Sequence, residues 1–263
     1  MSVTQSEKAD RFKSLHASAG AFVVANAWDL LSARLLGGMG FAALATSSAA
    51  AAGTLGRRDG EISRDEALDH ARAIVAATDL PVSADLENGF EHSPAGVAET
   101  IRLAASTGLV GGSIEDATGD PDQPLYPFDL AVERVAAAVQ AARALPFAFT
   151  LTARTENFLS GNPDLEDTIR RLQAFERAGA DVLFAPGLPD LAAVRAVCAA
   201  VTKPVNFMVG IKGKSWSVAE LEAAGVRRIS LATSLYRAAL TGLHEAAREV
   251  REQGTFGYVE RLI

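Results

Sequence analysis

The chain has 263 residues, 49% of them hydrophobic, which suits one large core and is close to the usual size of a single α/β barrel. A net charge of −7 and a pI of about 5.2 exclude a general electrostatic attraction to nucleic acid. The first residues are polar, and no apolar run approaches the roughly 18 residues of a membrane helix. One cysteine, Cys198, excludes an intrachain disulfide. We therefore expect a cytoplasmic protein with neither membrane nor nucleic-acid partners.

Apolar, strand-like runs alternate with amphipathic stretches of helical length along the whole chain. The strands are predicted to begin near Ala21, Phe41, Val82, Val110, Phe147, Asp181, Val205 and Arg228. The helices that follow them are predicted at Trp28–Leu36, Arg64–Ala77, Pro94–Ser106, Asp129–Arg143, Leu165–Arg177, Leu188–Ala200, Val218–Ala223 and Ser234–Glu252. A further helix, near Ser6–His16, precedes the first strand.

Glycine and proline separate these elements in an alternating pattern. The second, fourth, sixth and eighth strands follow a glycine that can take the left-handed conformation that stops a helix: Gly40, Gly108, Gly179 and Gly225. The third, fifth and seventh strands follow Pro81, Pro146 and Pro204. Eight alternating units predict an α/β protein, a (β/α)8 TIM barrel that forms a single domain over residues 1–263. A doubly wound open sheet is the alternative.

Acidic residues follow the predicted strands, at the end where α/β barrels place their chemistry. Asp85 and Glu87 end the third strand, Glu115 ends the fourth, and Asp59 lies in the loop after the second. Two carboxylates about 5 Å apart repel by roughly 3 kcal/mol at an effective dielectric constant of ~20, so four at one mouth call for a cation. Oxygen donors without His or Cys favour Mg²⁺ or Mn²⁺. We expect Asp85 to bind the ion directly and the others to hold its waters, unless the acids simply pair with arginines.

Arg154 at the end of the fifth strand is the candidate partner for an anion. It either neutralises Glu115 or Glu156, or it clamps a substrate carboxylate with its planar fork. A turn of small residues after the second strand offers backbone N–H groups to a carboxylate. The remaining candidate substrate contacts are uncharged: Ser47, Ser48, Trp28 and Asn206.

Several short motifs follow one another in order: Thr46-Ser-Ser48, Leu55-Gly-Arg-Arg-Asp59, Asp85-x-Glu-Asn-Gly-Phe90, Ile114-Glu-Asp116 and Ala153-Arg-Thr-Glu156. Together they resemble the isocitrate lyase/phosphoenolpyruvate mutase superfamily. The resemblance implies a (β/α)8 barrel whose last helix is usually swapped between the subunits of a homodimer or homotetramer. It also implies a Mg²⁺-dependent enzyme that stabilises an enolate-like oxyanion of a 2-oxo or 2-hydroxy carboxylic acid.

The same resemblance assigns roles to the polar residues of the strand ends. Asp85 corresponds to the metal ligand, and the other three acids correspond to groups that hold metal-bound waters. The two serines correspond to a carboxylate-binding turn, and Arg154 to an arginine that reaches the substrate or its oxyanion. We therefore expect catalytic roles for Asp59, Glu115 and Arg154, and metal-site roles for Asp85, Glu87, Asp59 and Glu115.

The loop after the fourth strand departs from the family pattern. The lyases carry a Lys-x-Cys-Gly-His motif there, whose cysteine is the general acid, and the phosphonate enzymes carry a lysine. Residues 117–127 contain no Lys, Cys or His, and Pro186 stands where many mutases have a histidine. Tyr126 and His92 are candidate replacements, although packing within the loop is the plainer interpretation of Tyr126.

These features predict a Mg²⁺-dependent carbon–carbon lyase for a small 2-oxo or 2-hydroxy carboxylic acid. Decarboxylation of an oxaloacetate-like acid needs the metal and enolate stabilisation but no strong acid in the loop. A retro-aldol (Claisen) lyase with unusual acid–base groups is close behind. A phosphonopyruvate-type hydrolase or mutase, a 2-oxo acid binding protein with degraded catalysis, and a barrel of unrelated chemistry remain alternatives.

Overall fold

Eight parallel strands close into a barrel in the computed structural model, which describes residues 3–262. Each strand pairs with the next along the chain, and the last pairs with the first. The closed order confirms the predicted barrel, and the doubly wound alternative is wrong. The strands are β1 (Phe22–Asn26), β2 (Leu44–Ala45), β3 (Val82–Asp85), β4 (Gly111–Glu115), β5 (Thr150–Arg154), β6 (Val182–Phe184), β7 (Val205–Met208) and β8 (Arg228–Ser230).

Within residues 3–262, ten α-helices accompany the strands, and a short 3-10 helix covers Gly257–Arg261. No helix in this part of the chain is both long enough and apolar enough to cross a bilayer. The helices are α1 (Gln5–Ala17), α2 (Leu30–Gly38), α3 (Ser48–Thr54), α4 (Arg64–Ala76), α5 (Pro94–Ser106), α6 (Phe128–Arg143), α7 (Leu165–Arg177), α8 (Leu191–Ala200), α9 (Val218–Ala223) and α10 (Ser234–Gln253).

Side-chain caps and left-handed glycines set the limits of the helices. Ser63 begins α4 with a capping box, in which its hydroxyl accepts from the Glu66 N–H while the Glu66 carboxylate accepts from the Ser63 N–H. The four glycines predicted to end helices have φ between 89° and 102°: Gly40, Gly108, Gly179 and Gly225. A residue with a Cβ would be strained at each of these positions, which explains the regular spacing seen in the sequence.

Helix α3 corrects the prediction of a loop after β2. Its sequence, Ser-Ala-Ala-Ala-Ala-Gly-Thr, is rich in alanine, the strongest helix former. Seven residues are too few to show a helical period of apolar and polar positions, so the pattern indicated only small residues. The helix places Ser47 at its N-cap and Ser48 in its first turn, directly after the strand.

Helix α1 closes the amino-terminal end of the barrel. Phe12 is fully buried there, and its ring packs edge to face against His16, 4.7 Å away, and Phe22, 6.5 Å away. The barrel interior at β4 is so tightly packed that a Cβ on Gly111 would lie 3.0 Å from the Cε1 atom of Phe12. Side chains therefore fill this end of the barrel, and the carboxyl ends of the strands are left for chemistry.

Helix α10 differs from the other long helices because none of its residues is buried. Leu240 and Leu243 are three residues apart, so they share one face, and they are 44% and 66% exposed. Phe256, just beyond the helix, is also exposed. A contiguous apolar face of this kind is typical of a contact with another molecule. The exchange of this helix between subunits stays a prediction.

Candidate active site

The eight strands converge on a cavity of about 60 Å³ at the carboxyl-terminal half of the barrel. One buried water needs about 10–15 Å³ by this measure, so the cavity has room for several waters or one small acid. Ten of the sixteen residues that line it are polar, so polar residues from several strands meet at this cavity. From β1 to β8 the strands contribute Asn26, Ala45, Asp85, Ser113, Arg154, Phe184, Asn206 and Ser230.

Asp85 ends β3, and groups on α3, β4 and β5 surround its carboxylate. The Ser48 hydroxyl donates to Oδ2 at 3.1 Å, and the Ser48 N–H does so at 3.4 Å. The Ser113 hydroxyl donates to Oδ1 at 3.4 Å, and the nearest nitrogen of Arg154 lies 3.6 Å from Oδ2. These long contacts orient the carboxylate but leave lone pairs that a cation can use.

Arg154 ends β5 among three carboxylates. Its Nε lies 3.2 Å from Glu115 and also contacts Glu156, while Asp85 is its third neighbour. Burial alone lowers the pKa of Arg154, but the charges of Glu115, Glu156 and Asp85 raise it well above its ordinary value. The guanidinium also stacks on Phe184, with 5.1 Å between its carbon and the ring centroid. Arg154 is therefore a permanent and rigidly held cation in the cavity wall.

Glu87 follows Asp85 in a left-handed backbone conformation, with φ of 49°. Such a conformation costs a residue with a Cβ on the order of 1 kcal/mol, and it is often found at functional sites. Burial, followed by the charges of Asp85 and Asp59, raises the pKa of Glu87 to about 7. Burial and the charge of Asp85 likewise raise the pKa of Asp59. The charges of Asp59, Asp85 and Glu87 are therefore close enough to affect one another, and their shared role in a metal site stays a prediction.

The two acids at the end of β4 have different partners. Glu115 faces Arg154, and burial raises its pKa well above the ordinary value. Asp116 instead accepts a hydrogen bond of 2.8 Å from the Glu156 N–H and pairs with Arg171 at 3.2 Å. Glu115 is thus the member of the pair that contacts the cavity residue Arg154, although Glu115 is not itself part of the cavity lining, whereas Asp116 anchors the loop after β5.

The acids fit a cation that is held mostly through water. In the part of the chain that the structure describes, no three Asp, Glu, His or Cys side chains converge closely enough to bind one ion directly. Mg²⁺ keeps several waters and takes one or two carboxylates in most protein sites. The Oε1 atom of Glu87 is buried without a hydrogen-bond partner, so a metal-bound water would satisfy it. This agrees with Asp85 as the direct ligand, an assignment that stays a prediction.

The structure places the two serines differently from the expected carboxylate-binding turn. Ser47 caps α3, and its hydroxyl accepts from the Ala50 N–H at 3.4 Å. Ser48 donates both its hydroxyl and its N–H to Asp85, so neither donor is free for a substrate. Ser47 lines the cavity and stays a candidate substrate contact, whereas Ser48 positions the metal-ligand candidate.

Of the other two predicted substrate contacts, only Asn206 faces the cavity. Its Nδ2 donates to the Ser230 hydroxyl at 3.0 Å, and its Oδ1 accepts from the Nε of Arg228 at 2.8 Å. Trp28 lies outside the cavity lining, and its ring packs against Tyr236 with 5.7 Å between centroids. The geometry therefore does not support a substrate contact through Trp28.

Tyr126 and His92 also lie outside the cavity lining. The Tyr126 hydroxyl is 2.6 Å from Nδ1 of His92, and Arg134 stacks over the tyrosine ring at 4.0 Å. Tyr126 is buried, and burial raises its pKa. The pair braces the loop after β4, in agreement with the packing interpretation of Tyr126.

The sequence analysis missed most of the cavity lining, including Ser113, Phe184 and Arg228. The first two are ordinary strand residues that carry no signal of their own. Arg228 did carry one, because a charged residue inside an apolar strand, two positions before Ser230, must point to the same side of the strand as that serine.

The closed barrel, the carboxylates at its strand ends and the buried arginine together define a (β/α)8 barrel protein with a charged candidate site at the carboxyl ends of its strands. The chain belongs to the phosphoenolpyruvate phosphomutase family, which it matches over residues 12–251. This confirms the membership of the isocitrate lyase/phosphoenolpyruvate mutase superfamily that the motifs indicated.

Similar proteins agree with this membership. A solved structure from Burkholderia cenocepacia J2315, described provisionally as a lyase/mutase, is 55% identical with a TM-score of 0.97, covering 98% of this chain and 94% of that chain. The 2-methylisocitrate lyase of Escherichia coli K12 is 30% identical over 214 residues, 78% of this chain and 71% of that protein. The oxaloacetate decarboxylase of Chromohalobacter salexigens is 28% identical over 256 residues, 95% of this chain and 87% of that protein. The family is therefore one of enzymes.

Proposed function

We propose that this protein is a Mg²⁺-dependent carbon–carbon lyase that acts on a small 2-oxo or 2-hydroxy carboxylic acid through an enolate-like intermediate. The observation that carries the proposal is the position of Arg154, a permanent cation that borders the cavity beside Asp85. The names of two relatives, a lyase and a decarboxylase of small carboxylic acids, support the reaction class.

The four acids of the mouth would hold the ion. Asp85 would bind Mg²⁺ directly, and Asp59, Glu87 and Glu115 would accept hydrogen bonds from its waters. When bound, the ion would supply positive charge to the 2-oxo oxygen and the adjacent carboxylate of the substrate. The raised pKa values of Glu87 and Asp59 support this, because they show that the ionised acids are unfavourable where they stand. A neighbouring cation would favour the ionised form of both acids.

Arg154 would stabilise the charge that develops when the carbon–carbon bond breaks. The electron pair of that bond stays on the carbon beside the 2-oxo group, and the resulting enolate oxygen accepts a hydrogen bond from the guanidinium. Three carboxylates and Phe184 already fix Arg154, so it needs no reorganisation during the reaction. Losing one preorganised donor to an oxyanion costs about 3–4 kcal/mol in comparable sites.

Decarboxylation is our first choice for the bond that breaks. Carbon dioxide leaves without any proton transfer, and the enolate then takes a proton from solvent. A retro-aldol cleavage needs a base for the substrate hydroxyl, whereas Tyr126 and His92 contact each other outside the cavity lining. A retro-aldol (Claisen) lyase is the second candidate. Phosphonate chemistry ranks third, because residues 117–127 lack the lysine.

The experiment that tests the function is a panel of 2-oxo and 2-hydroxy di- and tricarboxylates, assayed with and without Mg²⁺ or Mn²⁺. Release of CO₂, pyruvate, glyoxylate or phosphate would be followed together with the thermal shift of the protein. Metal-dependent turnover of one acid supports the lyase and shows which bond breaks. A metal-dependent shift without product from any acid would instead support a binding protein.

We also propose that the enzyme is a homodimer or homotetramer in which α10 packs on a second copy of the chain. The support is the absence of any buried residue from this helix, although it carries an apolar face. An isolated helix of this length gains little stability in water from propensity alone, so packing of its apolar face is expected to hold it.

A further inference from the structure

A second arginine, Arg228, faces the cavity from the first residue of β8. The residue is 5% exposed. Its Nε donates to Asn206, and this is the one hydrogen bond that its side chain makes within residues 3–262. No carboxylate in the same residues lies within ion-pair distance of it. The two terminal nitrogens of its guanidinium are therefore donors without acceptors beside the cavity.

The other two buried arginines of the described chain have more partners than Arg228, although the Nε of Arg134 has none. Arg134 donates to three backbone carbonyl oxygens, and Arg171 pairs with both Asp116 and Asp167. Burying a cation without such partners costs several kcal/mol in proteins. Because Arg228 is buried with a single hydrogen bond, we expect its guanidinium to bind a partner that is not part of the described chain.

The surroundings of Arg228 leave its charge uncompensated. Burial lowers the pKa of Arg228 to about 9, so the side chain still carries its proton at neutral pH. His16 lies toward the closed end of the barrel, where burial and the charge of Arg228 lower its pKa to about 3. The imidazole is therefore neutral at neutral pH and does not compensate the positive charge of Arg228.

Strand register places the two arginines on opposite sides of one space. Arg154, Phe184, Asn206 and Arg228 are register partners on four adjacent strands. Neighbouring strands are about 4.8 Å apart, so the two arginine Cα atoms are at most about 14 Å apart. Both residues line the same cavity, which can therefore present two cationic groups to one short molecule with an anion at each end.

We propose that Arg228 binds the second carboxylate of the substrate, the one remote from the 2-oxo or 2-hydroxy end. This inference rests on the proposed function and narrows its substrate class to short dicarboxylates. If decarboxylation removes that same carboxylate, its charge disappears in the transition state. In that reaction Arg228 would contribute to the affinity for the substrate and not to kcat.

The test compares acids that differ only at the far end. Malate is paired with 2-hydroxybutyrate, and 2-oxoglutarate with 2-oxopentanoate, so that a carboxylate is replaced by a methyl group. Binding to the Mg²⁺-loaded protein is measured by calorimetry for the wild type, Arg228→Met and Arg228→Gln. Arg227→Met is the matched control. Arg227 directly precedes β8 and lies outside the cavity lining, where its charge partly offsets the rise in the pKa of Cys198 that burial causes.

The expected result is a preference of the wild type for the dicarboxylate of at least one pair by about tenfold to a hundredfold, the range for a charge-assisted hydrogen bond. Arg228→Met and Arg228→Gln should lose this preference and keep their affinity for the monocarboxylates. Arg227→Met should keep both. An undiminished preference in either Arg228 variant would overturn the proposal.

Thermal unfolding gives an independent readout. Arg228→Met should unfold at the same temperature as the wild type or higher, because it removes a buried charge that has no partner. A melting temperature several degrees lower would show a structural role and overturn the proposal.

The two proposals can fail separately. If no acid binds the wild type with Mg²⁺, the proposed function is wrong, and metal-free titration with succinate then decides the role of Arg228. Binding of succinate by the wild type and not by Arg228→Met would support the arginine site. Equal binding by both, or none by either, would overturn it.

Discussion

The carboxylate of Asp85 and the guanidinium of Arg154 approach each other to 3.6 Å across the ends of β3 and β5. This is longer than a hydrogen bond, because each group is held by other partners. Ser48 holds the acid from α3, and Glu115 holds the arginine from β4. The candidate cation ligand and the candidate oxyanion donor are therefore adjacent, and neither is saturated by the other.

Replacing Asp85 by Asn should abolish metal-dependent ligand binding, because the amide removes the charge and one of the two acceptor oxygens. The thermal stability of the metal-free protein should stay the same or rise, since one of several repelling carboxylates is lost. Calorimetric titration with Mg²⁺ and Mn²⁺ measures the effect. Asp69→Asn is the control, because Asp69 is an exposed residue of α4. Unchanged metal affinity in Asp85→Asn would refute the ligand assignment.

Replacing Arg154 by Lys should lower kcat by about a hundredfold or more, because an ammonium group cannot keep the planar contacts and still reach an oxyanion. Steady-state kinetics on the acid identified by the panel would measure this. The matched control is Arg102→Lys on the exposed face of α5. Near-normal kinetics in Arg154→Lys would exclude the proposed role in charge stabilisation.

Glu87 should make the stability of the metal-free protein depend on pH. Its pKa is about 7 in the folded state and near 4.3 in an unfolded chain, so the folded state binds more protons between these values. Stability should therefore fall as the pH rises through this interval. After allowance for partial exposure, Glu87→Gln should remove about 1–2 kcal/mol of that fall.

Urea denaturation at about pH 5 and pH 8, in the presence of a chelator, would measure this dependence. Glu99→Gln, at an exposed position of α5, is the control. In the wild type, Mg²⁺ should reduce the fall in stability between about pH 5 and pH 8, because a cation stabilises the ionised carboxylate. A pH profile that is identical in wild type and Glu87→Gln would show that Glu87 does not carry the effect.

The neighbouring acids Glu115 and Asp116 should respond differently to neutral replacements. Asp116→Asn breaks a buried pair with Arg171 and should lower the free energy of unfolding by about 3 kcal/mol. Glu115→Gln should change stability less and reduce kcat or metal affinity more, since Glu115 faces the site. Denaturation and kinetics on both variants would test the division of roles. A larger loss of stability in Glu115→Gln, with a larger loss of kcat or metal affinity in Asp116→Asn, would show that the two roles are reversed.

Replacing Leu243 on α10 by Glu should shift the protein to a smaller assembly, because it places a charge in the proposed contact with a second copy. Size-exclusion chromatography with light scattering would measure the mass. Glu245→Lys on another face of the same helix is the control and should leave the mass unchanged. A wild type that is already monomeric would refute the predicted oligomer.

Local patterns in the sequence predicted much of the fold. The predicted limits of α5 and α7 agree with the structure residue for residue, because caps and apolar periodicity mark both helices. β2 begins at Leu44, three residues later than predicted, because the apolar run starts before the first residue that pairs with a neighbouring strand. Strand limits depend on pairing with neighbours, and pairing cannot be seen in a single run of sequence.

The sequence predicted the charges of the candidate site and the pairing of Arg154 with Glu115 or Glu156, but not the partners of Asp85. The sequence indicated that Asp85, Glu87 and Arg154 would meet, because their strands end at one edge. It could not show that Ser48 serves Asp85, since that contact joins residues 37 positions apart and depends on α3. Such partnerships follow from tertiary geometry, which local propensity does not encode.

The matched register from β4 to β8 restricts how this barrel can change during evolution. Glu115, Arg154, Phe184, Asn206 and Arg228 occupy equivalent positions on five neighbouring strands. Because side chains alternate, inserting a single residue into one of these strands would turn its inward group toward the surrounding helices. Descendants of this chain can therefore acquire new specificities by exchanging one side chain per strand or by remodelling the loops, while the length of each strand stays fixed.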